Sequence, residues 1–90
     1  MKRPAFTKQF KKDLTREKDR GKDIEKLKAI ITLFVHEKQL DKKNRDHKLI
    51  GNFKNRRECH IESDWLLLYK LTEEEIIFER TGSHSDLFKK

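Results

Sequence analysis

Four places in this 90-residue chain carry side chains able to move protons or hold phosphate: Asp46-His47, the run from His60 through Asp64-Trp65, Arg80, and His84 with Phe88. Histidine titrates near the working pH and can act as acid or base. Arginine matches phosphate oxygens with two parallel bonds. This set suits one reaction without further parts. RNA carries its own nucleophile, the 2′-hydroxyl. A base must take its proton, a cation must offset charge on the phosphorane, and an acid must protonate the leaving 5′-oxygen. Trp65 or Phe88 would stack on an unstacked base.

Each residue also has a plainer use. His60 in a strand can simply bond across a sheet. His47 and His84 can be surface loop residues, and Trp65 a core or rim aromatic. Arg80 can pair with Glu79 or Glu58. His36 at a helix end can face the helix dipole. No HxxxH or HExxH spacing marks a zinc site, although His47, His60 and His84 could meet in space. Cys59 is the only cysteine, so it forms no internal disulfide and reads as a small buried hydrophobe.

The elements that must position these residues follow from periodicity. Residues 2–6 read as a short first strand, limited by Pro4 to an edge or end. Thr7 can cap a helix, and Phe6, Phe10 and Leu14 recur every four residues until Gly21 breaks the pattern. A second helix runs from about Asp23 to Lys38, with Ile24, Leu27, Ile31, Phe34 and Val35 on one face, widened by Ile30 and Leu33. Residues 39–52 read as a polar connecting loop with turn signals at Gly51 and Asn52. After Phe53 the period falls to two, and residues 56–62 alternate as in a strand. Glu62-Ser63-Asp64 reads as a tight turn. Trp65 to Leu71 is apolar on both faces, as in a central strand. A turn at Thr72–Glu75 leads to a third strand, Ile76 to Thr81, ended by Gly82. Ser83 to Lys90 reads as a short tail with one helical turn. The hairpins bring His60, Arg80 and His84 to neighbouring strand ends, where functional residues usually sit. The fold class is α+β, one domain over 1–90: two N-terminal helices packed on a small, mainly antiparallel sheet.

Composition sets the frame. The chain is 43% charged and 33% hydrophobic with a formal net charge of +7, so its core is thin and a second domain has no room. Mean hydropathy is −1.03, and no transmembrane helix or cleavable leader is legible; a cytoplasmic location is the default expectation. Residues 1–45 hold 15 Lys and Arg against 7 Asp and Glu, a balance of +8, while residues 46–90 hold 8 against 9. The basic half suits a polyanion, nucleic acid foremost, or simply a solvated helix face.

The strings Asp46-His47-Lys48-Leu49-Ile50-Gly51-Asn52-Phe53-Lys54, Arg57-Glu58-Cys59-His60-Ile61-Glu62-Ser63-Asp64-Trp65-Leu66-Leu67-Leu68-Tyr69-Lys70-Leu71 and Glu79-Arg80-Thr81-Gly82-Ser83-His84-Ser85-Asp86-Leu87-Phe88 closely resemble the YafQ branch of the RelE/ParE toxin superfamily. The resemblance covers the second half, and the basic helix pair fits it. It implies a RelE-like β-α-α-β-β-β fold and a toxin of a type II toxin–antitoxin system, a metal-independent endoribonuclease cutting mRNA in the ribosomal A site without a cofactor. It implies His47, His60, Asp64 and His84 as catalytic residues, and Trp65, Arg80 and Phe88 as substrate-binding ones. His84 would be the general acid and Arg80 the cation on the phosphorane. His47, His60 and Asp64 would share activation of the 2′-hydroxyl and holding of the phosphate. A cognate antitoxin is implied as partner, along with mRNA and the ribosome. Operator DNA would be met only through the antitoxin complex, and no membrane is implied. The sequence departs from the family in reading Lys54-Asn55-Arg56-Arg57 where a lysine-glycine pair is common. A gyrase-inhibiting ParE-like toxin and a non-catalytic nucleic-acid-binding module share these broad features. The three histidines distinguish the nuclease from both.

Overall fold

A computed structural model describes residues 1–49 and 55–88. The turn read at Gly51 and Asn52, the onset of the strand pattern at Phe53, and the end of the tail at Lys89 and Lys90 lie outside these residues. The chain opens with strand β1 (Arg3–Phe6) and helices α1 (Lys8–Asp19) and α2 (Ile24–Val35). Thr7 caps α1 by accepting from the Phe10 amide, and Asp23 caps α2 by accepting from that of Glu25, which satisfies amides the first turns leave open. A 3-10 turn, Lys42–Asn44, precedes β2 (His47–Lys48), β3 (Arg57–Glu62), β4 (Trp65–Leu71), β5 (Glu75–Gly82) and a one-turn helix α3 (His84–Leu87).

The five strands form one sheet in the order β1-β5-β4-β3-β2. Three pairings are antiparallel and β1 runs parallel to β5, so the sheet is mainly antiparallel as the sequence implies. The loop reading of residues 39–52 needs one correction. His47 and Lys48 pair with Glu58 and Arg57, making a fifth strand too short for periodicity to reveal. The helices cover one face. Phe10, Leu27, Ile30 and Phe34 pack there against Cys59, Trp65, Leu67, Tyr69, Ile76 and Phe78. The alternate β4 residues Leu66 and Leu68 turn to the other face, where Leu87, Leu49 and Phe88 cover them. That second, smaller cluster fixes α3 against the sheet and carries the residues with chemistry.

Candidate active site

Register assembles the site. His47 stands opposite Glu58, Glu58 opposite Leu68, and Leu68 opposite Arg80. One rung further, His60 stands opposite Leu66, and Leu66 opposite Gly82. Two rows across the sheet therefore place His47 beside Glu58 and His60 on neighbouring strands, with Arg80 on β5 opposite Leu68 and α3 starting just after Gly82.

Glu58 lies at the centre and is only 6% exposed. Its Oε1 is 3.2 Å from His60 Nε2 and 3.7 Å from His47 Nε2. His60 is 9% exposed, and its Nδ1 faces the Ser63 carbonyl at 3.3 Å. Its own carbonyl accepts from Asn44 Nδ2 at 2.7 Å, so the 3-10 turn buttresses β3 at this point. His47 is exposed, and its Nδ1–H donates to the Arg45 carbonyl at 2.6 Å. Sequence reasoning gave Glu58 no role beyond a partner for Arg80. The strand alternation contained the signal, because Glu58 and His60 are two apart and share a face.

His84 enters from α3. Asp64 Oδ1 accepts both the His84 backbone N–H at 2.9 Å and its ring Nδ1–H at 2.7 Å. The backbone bond first, then the ring, hold the Asp64 carboxyl below the usual carboxylate range. With Nδ1 committed to Asp64, Nε2 is the ring atom left for exchange. The His84 ring lies 5.8 Å from that of His60 and 6.4 Å from that of Phe88, between centroids. Ligand atoms of Glu58, His60 and His84 all lie within 4.8 Å of one another. These three side chains could also hold a transition-metal ion, a cluster the sequence spacing did not disclose.

One expected substrate contact needs correction, and so does the pairing read for Arg80. Trp65 is 0% exposed and cannot stack on a base. Its indole Nε1–H donates to Thr81 Oγ1 at 2.9 Å, and that hydroxyl donates to the Leu66 carbonyl at 2.7 Å. Trp65 thus ties β4 to the end of β5. Arg80 pairs with neither Glu79 nor Glu58. Its Nε and Nη2 donate to Asp13 of α1 at 2.7 and 3.2 Å, while Glu79 takes Arg56. Asp13 is fully buried. Burial pushes its carboxyl up, but the bonds from Arg80, Gln9 and the Thr81 amide outweigh this and hold it below its ordinary value. Phe88 is half-buried against the small cluster. Asp46, next to His47, accepts from the Tyr69 hydroxyl and lies 3.4 Å from Arg57 Nη2, so the Asp46-His47 segment is anchored to the core. Burial, then the nearby Asp46 and Glu58, push the Cys59 thiol well up, which fits an inert core residue. His36 is the exposed C-cap of α2, away from these rows.

Comparison with known proteins gives one answer. Residues 2–89 match the family described as the bacterial toxin of type II toxin–antitoxin system, YafQ. The mRNA interferase toxin YafQ of Escherichia coli K12 is 42% identical over 84 residues, covering 92% of this chain and 91% of that one. The crystal structure of YafQ from E. coli BL21(DE3) superposes with a TM-score of 0.93 at 38% identity, covering 98% of this chain and 99% of the other. YafQ in the E. coli DinJ–YafQ toxin–antitoxin complex gives a TM-score of 0.90 at 40% identity, with 97% of each chain covered. Matched over nearly its whole length in both sequence and fold, the chain belongs to the YafQ family of type II toxin–antitoxin toxins.

Proposed function

We propose that this toxin is an endoribonuclease that cuts mRNA by attack of the 2′-hydroxyl on the adjacent phosphate. The observation that carries the reading is the facing pair Glu58–His60 and Asp64–His84, with both imidazoles within reach of one phosphate. The curated relative's name, mRNA interferase toxin, supports the substrate, and the ribosomal A site is the setting the family implies. The Glu58, His60 and His47 side takes the 2′-hydroxyl proton as the 2′-oxygen bonds to phosphorus. The P–O5′ bond then breaks, and His84 Nε2–H protonates the leaving 5′-oxygen. A 2′,3′-cyclic phosphate and a 5′-hydroxyl remain. The acid is the His84 imidazolium, and Asp64, accepting from its Nδ1–H, holds the ring in the orientation this needs and leaves Nε2 neutral but Nδ1 protonated after the transfer. Arg80, held by Asp13, supplies positive charge to the phosphorane, and Phe88 stacks beside the reacting nucleotide. No metal or cofactor enters the reaction.

The partner is an antitoxin, as DinJ is for YafQ in the E. coli complex. Phe6, Leu14 and Ile31 line a groove of about 480 Å³ where α1 and α2 meet, with Lys11, Lys18 and Lys28 also along it. That composition suits an acidic amphipathic segment, and such a complex would meet operator DNA through the antitoxin. Among the described residues no helix is long and apolar enough to cross a membrane.

The test is cleavage of a defined mRNA with and without ribosomes and EDTA, with the cut ends mapped. Cut ends that carry a 2′,3′-cyclic phosphate and a 5′-hydroxyl, with cutting of ribosome-free mRNA surviving EDTA, are the expected result; ends that carry a 3′-hydroxyl and a 5′-phosphate overturn the mechanism. Glu58→Gln, which keeps shape but loses the charged acceptor, is expected to slow cleavage by about tenfold or more while binding RNA normally. Unchanged cutting by this variant would remove Glu58 from the reaction.

A further inference from the structure

We propose that Arg20 is a positioning residue for RNA cleavage, setting through Asp86 where α3 holds His84. The proposal rests on the reading of His84 as the general acid. Its basis is a charged stripe on α1. Asp13, Arg16, Glu17 and Arg20 follow helical spacing and share one face. That face meets the end of β5 and the cap of α3. Arg20 donates to both carboxylate oxygens of Asp86, at 2.6 and 3.1 Å. The same carboxylate accepts the Ser83 backbone N–H at 2.9 Å, and Ser83 Oγ accepts the Asp86 N–H at 3.1 Å. This reciprocal capping box lies on either side of His84 in sequence. Arg16 adds a second tether, donating from Nη2 to the Thr81 carbonyl at 2.6 Å.

The stripe is built at a cost. Asp13 and Glu17 are 0% and 1% exposed, and Glu17 Oε1 has no hydrogen-bond partner among the described residues. Glu17 Oε2 takes Arg16 and Arg20 at 2.9 and 3.1 Å. Buried ion pairs of this kind add little net stability over apolar packing, and their best-attested use is to fix one arrangement. Here the arrangement fixed is that of a one-turn helix, too short to hold itself, which carries His84 and leads into Phe88. A loose acid loses rate steeply, since a displacement of about 1 Å can cost on the order of a hundredfold.

The experiment measures kcat and KM for cleavage by Arg20→Ala, Asp86→Asn, the double variant, Arg20→Lys and His84→Ala, with a melting curve for each. Arg20→Ala and Asp86→Asn are each expected to lower kcat by about tenfold or more with KM changed less than about twofold. The double variant falls no further than the worse single one, because both act through one contact. Arg20→Lys, which keeps the charge and one bond, recovers part of the rate. A raised KM with unchanged kcat would make Arg20 a phosphate contact and overturn the proposal; so would unchanged kinetics, or multiplying effects in the double variant. Should Arg20→Ala fail to fold, Asp86→Asn and Arg20→Lys carry the same test. Full cleavage by His84→Ala would overturn the acid assignment itself, whereas a dead His84→Ala beside a fully active Arg20→Ala would overturn only this inference.

Discussion

At the scale of single residues, the proposed site separates into side chains assigned to the substrate and side chains that hold them. His84 is exposed, and among the described residues it is hydrogen-bonded through Nδ1 and its backbone. His84→Ala is therefore expected to reduce cleavage by about 10²–10⁴-fold while melting at nearly the parent temperature. A cleavage assay beside a melting curve checks both halves. Trp65 makes the opposite case. It sits next to Asp64 in the motif, yet its ring is in the core and its N–H is spent on Thr81. Trp65→Phe is expected to cost about 1–2 kcal/mol of stability through the lost bond to the Thr81 hydroxyl and to leave KM for RNA unchanged. A weakened RNA affinity in a fully stable variant would restore Trp65 as a base platform.

At the scale of elements, the join between β5 and α3 leaves no room for a side chain at Gly82. A Cβ added to Gly82 would stand 2.4 Å from Arg16 Nη2 and 2.9 Å from Asp86 Cβ. Arg16 cannot swing aside freely, because it is bonded to Asp13, Glu17 and Thr81. Gly82→Ala is expected to cost about 1–3 kcal/mol and to lower kcat with it, measured by denaturant unfolding and single-turnover cleavage. The helices and the three long strands were legible because each buries a face whose period is 3.6 or 2. The edge strand at His47 was not, since two residues carry no period and Glu58, the partner of His47, lies eleven residues on. Nor was the α1 stripe. Asp13 and Glu17 are polar residues doing the burying that a pattern search assigns to Phe10 and Leu14. Charge distant in sequence also decided Arg80, whose partner Asp13 is 67 residues away. Among the catalytic candidates, His47, His60, Asp64 and His84 gather where the motifs imply, whereas Glu58 emerges only once register brings both histidines to it.

At the scale of the whole molecule, the excess of positive charge is partly spent inside the fold. Arg16 and Arg20 serve the α1 stripe, and Lys22 and Lys26 both reach Glu62 at 3.3 and 2.9 Å. These pairs make stability depend on pH in one direction. The bond from Arg20 to Asp86, and that from Lys26 to Glu62, hold these carboxyls below their ordinary values. The backbone N–H of His84 does the same for Asp64, and for Asp13 the bonds from Arg80, Gln9 and Thr81 overcome burial. A carboxyl whose folded-state pKa is depressed adds stability that is fully present above its unfolded value and is lost as pH falls through the folded one. The unfolded values are 3.8 for the aspartates and 4.5 for the glutamate. The melting temperature is therefore expected to be nearly flat from neutral pH down to about 5 and to fall steadily below about 4, as the unfolded chain binds protons the folded one resists. Added salt is expected to flatten the share owed to the exposed pairs, Asp64–His84 and Lys26–Glu62, and to leave the buried Asp13 share in place. Asp86→Asn removes one of the four carboxyls and is expected to make the acid-side fall shallower. A melting temperature that rises on acidification, or one that Asp86→Asn leaves with the same slope, would show that these pairs do not govern acid stability.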